Sequence, residues 1–361
     1  MCEKESSLFS PLLLVDPGPE YDLPNRPFQG IPTIEKTKGG RLYAAFYSGG
    51  EDEGPDNFVV VLDSDDDGFT WSKPIVAVDP QGLVRAFDPV LWHDPLGRLW
   101  LFWAQSYTKF DGRCGVWCSV CEHPDEKRIT WKAPRRIANG IMMNKPVVLR
   151  NGTWLFPTAI WADHVFPTTL NSIPEEQYSN VYASSDQGQS FTLLGGADVK
   201  NRWFDEHMVV EKRDGRLWML VRTQNGIGQS FSSDGGTTWS GGTDTGWGGP
   251  NSRFFIRRLT SGRLLLVNHA NSTSRSHMTA FLSSDDGLTW PNSLLIDQRD
   301  HVSYPDGVED ERGNIYVIYD RERYGAREIL MAKFTEMDIL TGRIIDSNSR
   351  LRQIVHTAVS P

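Results

Sequence analysis

Six short clusters of polar side chains punctuate this chain, each just before an apolar, strand-like run: Arg26–Gln29, Arg85–Asp88, Asn144–Lys145, Asp205–Glu206, Ser252–Arg253 and Ser303–Asp306. The apolar run after each one leads to a further polar or aromatic residue: Tyr47, Gln105, Trp161, Arg222, His269 and Asp320. Brought into one ring, these residue types suit an anionic, hydroxyl-rich ligand. Arg85, Arg222 and Arg253 carry forks that bind carboxylates bidentately, and Lys145 and Arg323 add charge. Trp161 offers a flat face to a sugar, Gln29 and His269 offer polar contacts, and Asp88, Glu206 and Asp306 could perform acid–base work. The plainer reading of each position is a solvated rim or a structural ion pair. A separate acidic stretch, Glu51-Asp-Glu-Gly-Pro-Asp56, precedes the apolar run Phe58–Leu62.

What could gather such residues is a repeat. A turn glycine followed by an apolar strand recurs six times: Gly40-Arg-Leu-Tyr-Ala-Ala-Phe46, Gly97-Arg-Leu-Trp-Leu-Phe-Trp103, Gly152-Thr-Trp-Leu-Phe156, Gly215-Arg-Leu-Trp-Met-Leu-Val221, Gly262-Arg-Leu-Leu-Leu-Val267 and Gly313-Asn-Ile-Tyr-Val-Ile-Tyr319. A second signature, Ser-x-Asp-x-Gly-x-Thr-Trp, known as the Asp box, stands at Ser64–Trp71, Ser232–Trp239 and Ser283–Trp290. There is a weaker copy at Ser184–Phe191 and a remnant at Ile129-Thr-Trp131. The pattern describes a tight hairpin: Asp satisfies turn N–H groups, Gly takes positive φ, and Trp is expected to restart the next strand inside the core.

Four short strands per repeat and six repeats predict an all-β, six-bladed β-propeller with antiparallel blades. Approximate blades are 27–75, 84–135, 142–192, 204–240, 252–291 and 302–345 of a single domain spanning 1–361. A strand near Leu12–Val15 is expected to help close the last blade, and a short helical turn is expected near Thr335–Asp338. In a propeller the ring above falls on one face, around the central axis.

Composition narrows the partners. A formal charge of −9 disfavours nucleic acid, whose phosphates call for a clustered cationic surface. The Pro11–Val15 run is far short of the ~20 residues of a membrane span. Cys114, Cys118, Cys121 and His123 could be read as a metal site. Strand alternation, however, puts Cys114 and Cys118 on one face and Cys121 on the other, so they read as reduced packing residues. Asp63, Asp65, Asp67 and Gly68 imitate the start of a calcium loop, but its twelfth position is Pro74 rather than Glu. No metal or organic cofactor is expected. Reduced cysteines favour the cytoplasm, whereas a leader removed before Cys2 would make the protein secreted or lipid-anchored.

The Asp boxes, the six repeats and the order of motifs resemble the sialidase (neuraminidase) superfamily over nearly the whole chain. Glu206-His-Met-Val-Val-Glu, running on to Arg222, is similar to the segment carrying that family's glutamate and second carboxylate-binding arginine. Arg275-Ser-His-Met-Thr-Ala-Phe resembles the segment with the third arginine, and Ser303-Tyr-Pro-Asp306 the segment with its nucleophilic tyrosine. The resemblance implies a retaining exo-glycosidase acting on a terminal acidic sugar, with Tyr304 as nucleophile and Glu206 as its base. The acid/base would come from the loop before Phe58, with Asp56 favoured and Glu53 its rival. One departure stands out: the family's Phe-Arg-Ile-Pro becomes Phe28-Gln-Gly-Ile-Pro32, so Gln29 and Gly30 stand where the first arginine is expected. Two alternatives follow: a glycan-active propeller of other specificity, such as a uronic acid, using Asp88, Asp306 or His269, and a non-catalytic carbohydrate-binding propeller.

Overall fold

The computed structural model describes residues 7–22, 26–168, 170–270 and 273–359; Cys2 lies outside them. The chain forms six antiparallel sheets arranged as the blades of a propeller, each a four-stranded meander laid down in sequence order, with one additional N-terminal strand on the first. The innermost strands of blades 1 to 6 are Gln29–Lys36, Val84–His93, Val147–Val148, Met208–Glu211, Phe255–Arg258 and Val302–Glu309. The second strands, such as Leu99–Tyr107 and Leu217–Thr223, are buried almost throughout. Both faces of such a strand meet a neighbouring blade, so its sequence reads as a continuous apolar run instead of an alternation. Between blades 2 and 3, for example, Trp92 meets Trp154 edge-on at 4.8 Å, with Trp100 and Phe156 beside them.

The Asp boxes tie the hairpins between third and fourth strands. At Ser283–Thr289 the serine hydroxyl donates to Asp285 Oδ1 (2.8 Å) and accepts from the Gly287 N–H (2.9 Å), while Asp285 Oδ1 accepts from the Thr289 N–H (2.9 Å). The same pattern recurs at residues 64–70, 184–190 and 232–238. The box tryptophans are not where they were expected. Trp71, Trp131, Trp239 and Trp290 lie outside the strands and are half-buried. They pack against the edge of the core from there, and the box glycine adds a contact by seating a large side chain of the preceding blade: Trp100 at Gly188, Trp218 at Gly287 and Met331 at Gly68.

Two further details differ from expectation. Leu12–Val15 does form a strand, but it pairs with Val76–Asp79 on the outer edge of the first blade; the last blade is completed by its own Arg350–Thr357. Cys114 precedes its strand with φ 48°, which breaks the alternation and puts it in the same cluster as Cys121, whereas Cys118 faces the other side. Asp67 of the calcium-like stretch is engaged by Lys36 (3.1 Å), Lys333 (2.7 Å) and Arg350 (3.1 Å). The helical turn is Glu336–Thr341, capped by Thr335. No helix among the described residues is long and apolar enough to cross a membrane.

Candidate active site

Three innermost strands share an irregularity. Pairing with the second strand slips at Gly30/Thr33, Phe87/Val90 and Ser303/Asp306, and the displaced residues Ile31, Asp88 and Tyr304 have φ of 54°, 49° and 55°. Each is followed by a proline, Pro32, Pro89 or Pro305. Bulges of this kind re-aim a side chain. They place Asp88 and Tyr304 at equivalent positions of blades 2 and 6, which the repeated X-Pro dipeptide could have signalled in the sequence. Blade 4 uses a different device: Phe204, Asp205 and Glu206 have φ of 59°, 56° and 42° just before Met208–Glu211. Positive φ is costly for residues with a Cβ, and such strain concentrates where a particular geometry is being held.

These segments bring five of the expected residues together. Arg222 Nη1 donates to Glu206 Oε1 at 2.5 Å and to Tyr304 Oη at 3.3 Å, with all three side chains buried. The Arg275 guanidinium lies 5.3 Å from the Tyr304 ring centroid and that of Arg323 4.9 Å. The Tyr304 phenol is thus surrounded by three guanidinium groups, a setting that favours negative charge on its oxygen. Asn251, which sequence reasoning missed, fixes two of them. Its side-chain oxygen accepts from Arg222 Nε (2.6 Å), and its carbonyl accepts from Arg222 Nη2 (3.3 Å) and Arg275 Nη2 (2.9 Å). Phe204 also went unnoticed; the Arg222 guanidinium stands 5.2 Å from its ring.

Of the acidic loop, Glu53 points inward and bonds Arg323 Nη1 at 3.0 Å, while Asp56 is exposed. Asn57 braces the loop by donating to the carbonyls of Gly49 (2.8 Å) and Asp52 (3.0 Å). Asp88 is buried with Oδ1 unpartnered, and burial pushes its carboxyl up to about 8. Arg85 lies beside it, its guanidinium 3.7 Å from the Phe87 ring and its Nε without a protein partner. Glu206 Oε2 is likewise buried and unpartnered.

Other expected ring members sit elsewhere. Lys145 is spent on the carbonyls of Ile34 (2.7 Å) and Leu91 (2.6 Å), on Glu35 (3.0 Å) and on Asp306 (3.2 Å). Asp306 also accepts from Thr33 Oγ1 (2.6 Å) and the Ile34 N–H (3.0 Å), and Arg253 donates to Asn144 Oδ1 (2.9 Å). These residues tie neighbouring innermost strands together, while both Nη atoms of Arg253 and Oδ1 of Asp306 stay buried without a hydrogen-bond partner among the described residues. Gln29 turns outward, donating to the Arg327 carbonyl (2.6 Å) and accepting from His356 Nδ1 (2.7 Å). His269 Nε2 donates to the Val302 carbonyl (2.8 Å), and burial holds its imidazole down at about 4. Trp161 is 7% exposed, stacked on Phe110 and edge-on to Phe204, both at 4.8 Å, so it backs Phe204 and presents no open platform. A cavity of about 1330 Å³ opens at the opposite end of the axis, among Lys36, Arg41, Lys212, Arg258, Asp310 and Lys333, away from Tyr304.

Against known families, residues 40–317, most of the chain, match the BNR repeat-like domain. The chain belongs to the BNR repeat-like domain family. No curated protein sequence matches it. Among solved structures, this BNR-repeat protein is similar to the intramolecular trans-sialidase of Ruminococcus gnavus (14% identity, 92% of this chain and 98% of that one, TM-score 0.69). It is also similar to a Hadza microbial sialidase (19% identity, 82% of this chain, TM-score 0.64), of whose length it spans 64%. The sialidase of Trypanosoma rangeli, solved as a covalent intermediate with 2,3-difluorosialic acid, matches at 17% identity over 81% of this chain and 52% of that one, TM-score 0.63. At such identities the likeness is one of fold, a sialidase-like propeller.

Proposed function

We propose that this protein is a retaining exo-glycosidase that releases a terminal acidic sugar from a glycan. The observation that carries the reading is the single nitrogen of Arg222 bonded to both Glu206 and Tyr304. Tyrosine, with an ordinary pKa near ~10, is a poor nucleophile at neutral pH and needs an adjacent base. In the reaction, Tyr304 Oη attacks the anomeric carbon as Glu206 takes its proton. The glycosidic C–O bond breaks, and the leaving oxygen takes a proton from an acid. Glu53 is the inward-facing candidate for that acid; Asp56, on the same loop, is its alternative. Water then attacks the anomeric carbon and gives a proton to the now deprotonated acid; the bond from the sugar to Tyr304 Oη breaks, and Tyr304 recovers its proton from Glu206. A neutral phenol also avoids the repulsion that a carboxylate nucleophile would meet at a sugar bearing its own carboxylate.

The test compares wild type, Tyr304→Phe and Glu206→Gln on chromogenic α-sialosides and uronides. Each substitution is expected to cut turnover by orders of magnitude in a folded protein. Full activity in both would overturn the assignment. A second specificity, for a uronic acid, is favoured by Gln29 turning away from the site and by Gly30 having no side chain. Rapid uronide cleavage with idle sialosides would establish it. Glycan binding without any product would make the propeller a lectin-like module.

A further inference from the structure

We propose that Arg323 is an anion-binding arm of the Tyr304 site, and that Gly30 is glycine to make room for it. The inference rests on the reading of an acidic sugar as ligand. Arg323 follows the second strand of blade 6, Asn314–Arg321, and its guanidinium lies over the Tyr304 ring. Its stem runs where a side chain of residue 30 would be. A Cβ on Gly30 would collide with Arg323 Cδ and stand 3.0 Å from Cγ and 3.2 Å from Asp320 Oδ2. Gly30 is not among the residues of positive φ, so its backbone does not call for glycine; the neighbouring arginine does.

The charges around Arg323 distinguish a fixed partner from an exchangeable one. Asp320 Oδ2, 3.7 Å from Arg323 Nε, is locked in place: it accepts from the Ile31 N–H (2.9 Å), and Oδ1 accepts from Ser303 Oγ (2.6 Å). Glu53, on Nη1, comes from a surface loop whose tip is also held to blade 6 by the bond from Tyr324 Oη to Asp52 (2.6 Å). Nη2 has no acceptor among the described residues. A guanidinium with a permanent counter-ion behind it, a movable one in front and a free donor is arranged to take a ligand carboxylate beside Tyr304. If Arg323 only latched the loop, the charge of the ligand would not matter to it.

Calorimetric titration with N-acetylneuraminic acid, D-glucuronic acid and the methyl ester of each separates these roles. Wild type should bind one of the acids better than its ester. Arg323→Met should weaken that acid about ten-fold or more, the worth of a charge-assisted pair, and leave the ester unchanged. Gly30→Ala, which keeps Arg323 but displaces it, should do the same and serves if Arg323→Met fails to fold; Arg323→Lys should fall between. Equal losses for acid and ester, no loss in either variant, or no binding of either acid to wild type would overturn the proposal. Acid preference through Arg323 without turnover of any glycoside would sink the hydrolase reading alone; turnover with an unaltered acid preference in both variants would sink only this one.

Discussion

Glu206 and Tyr304 come from different blades and meet on one atom, Nη1 of Arg222, at 2.5 and 3.3 Å. Arg222 therefore ties two blades together and, in the proposed reaction, also holds the nucleophile and its base. Arg222→Met leaves a buried carboxylate unpaired and should cost about 3–5 kcal/mol in denaturant unfolding. The double variant Arg222→Met/Glu206→Gln should recover part of that loss, because the stranded charge is gone. Arg222→Lys keeps the charge but loses the fork that reaches Glu206, Tyr304 and Asn251 together. It should fold and yet lose about 10²–10³ in turnover, the usual scale for one preorganised donor. Additive single-variant losses in the unfolding cycle would show that the two groups are not coupled.

Asp88 gives the stability a pH dependence of unusual sign. Its carboxyl ordinarily titrates at 3.8, and burial carries it to about 8 in the folded protein, so the folded state holds the proton more tightly. The stabilisation is complete below about 4 and is lost as pH rises toward 8. Asp88→Asn remains neutral throughout. The melting-temperature difference between Asp88→Asn and wild type should therefore shift in favour of the variant from pH 4 to pH 8 and level off above that. A difference that stays constant over this range would mean Asp88 titrates normally.

His356 acts in the opposite direction. Its Nδ1 donates to Gln29 Oε1 (2.7 Å), so Nε2, 3.1 Å from Arg26 Nη2, is left to accept. Burial, with Arg26 adding to it, holds the ring down at about 3, against 6.5 when unfolded. The neutral ring contributes stability that is whole above pH 6.5 and disappears as pH falls toward 3. His356→Gln should melt lower at pH 7 but with a flatter acid limb between pH 6 and 4. A limb of unchanged slope would place the acid sensitivity elsewhere, with His269 the next candidate.

The blades were legible in the sequence because second strands packed on both faces cannot alternate, and each is announced by a turn glycine. Glu206, Arg222, Arg275 and Tyr304 could be singled out because motif order carries over when a fold is repeated. The direction of individual side chains could not. One bulge before Pro32 sends Gln29 outward toward His356. Lys145, Arg253 and Asp306 looked like rim residues because a polar position before a strand has the same appearance whether it faces solvent or is buried between blades. The edge strand Leu12–Val15 carries no signal of which blade it joins. It lies next to the outer strand of blade 1, Val76–Asp79, and pairs there. The half-burial of the Asp-box tryptophans was equally hidden, since the glycine beside them shares the contact between blades.

That contact yields the final prediction. At Gly287, with φ 88°, a Cβ would stand 2.5 Å from Trp218 Cζ3 and 2.7 Å from Cη2, two blade-packed ring atoms with no room to move. Gly287→Ala should lose about 2–4 kcal/mol, combining left-handed strain with overpacking. Gly235, with φ 77° and nothing within 4 Å of its would-be Cβ, isolates the first contribution. Gly235→Ala should cost only about 1–2 kcal/mol. Pairing Gly287→Ala with Trp218→Leu should bring the total below the sum of the single losses, because the smaller side chain vacates the contested space. If Gly287→Ala and Gly235→Ala unfold at the same denaturant concentration, the glycine is a turn residue alone and the blades are not locked through it.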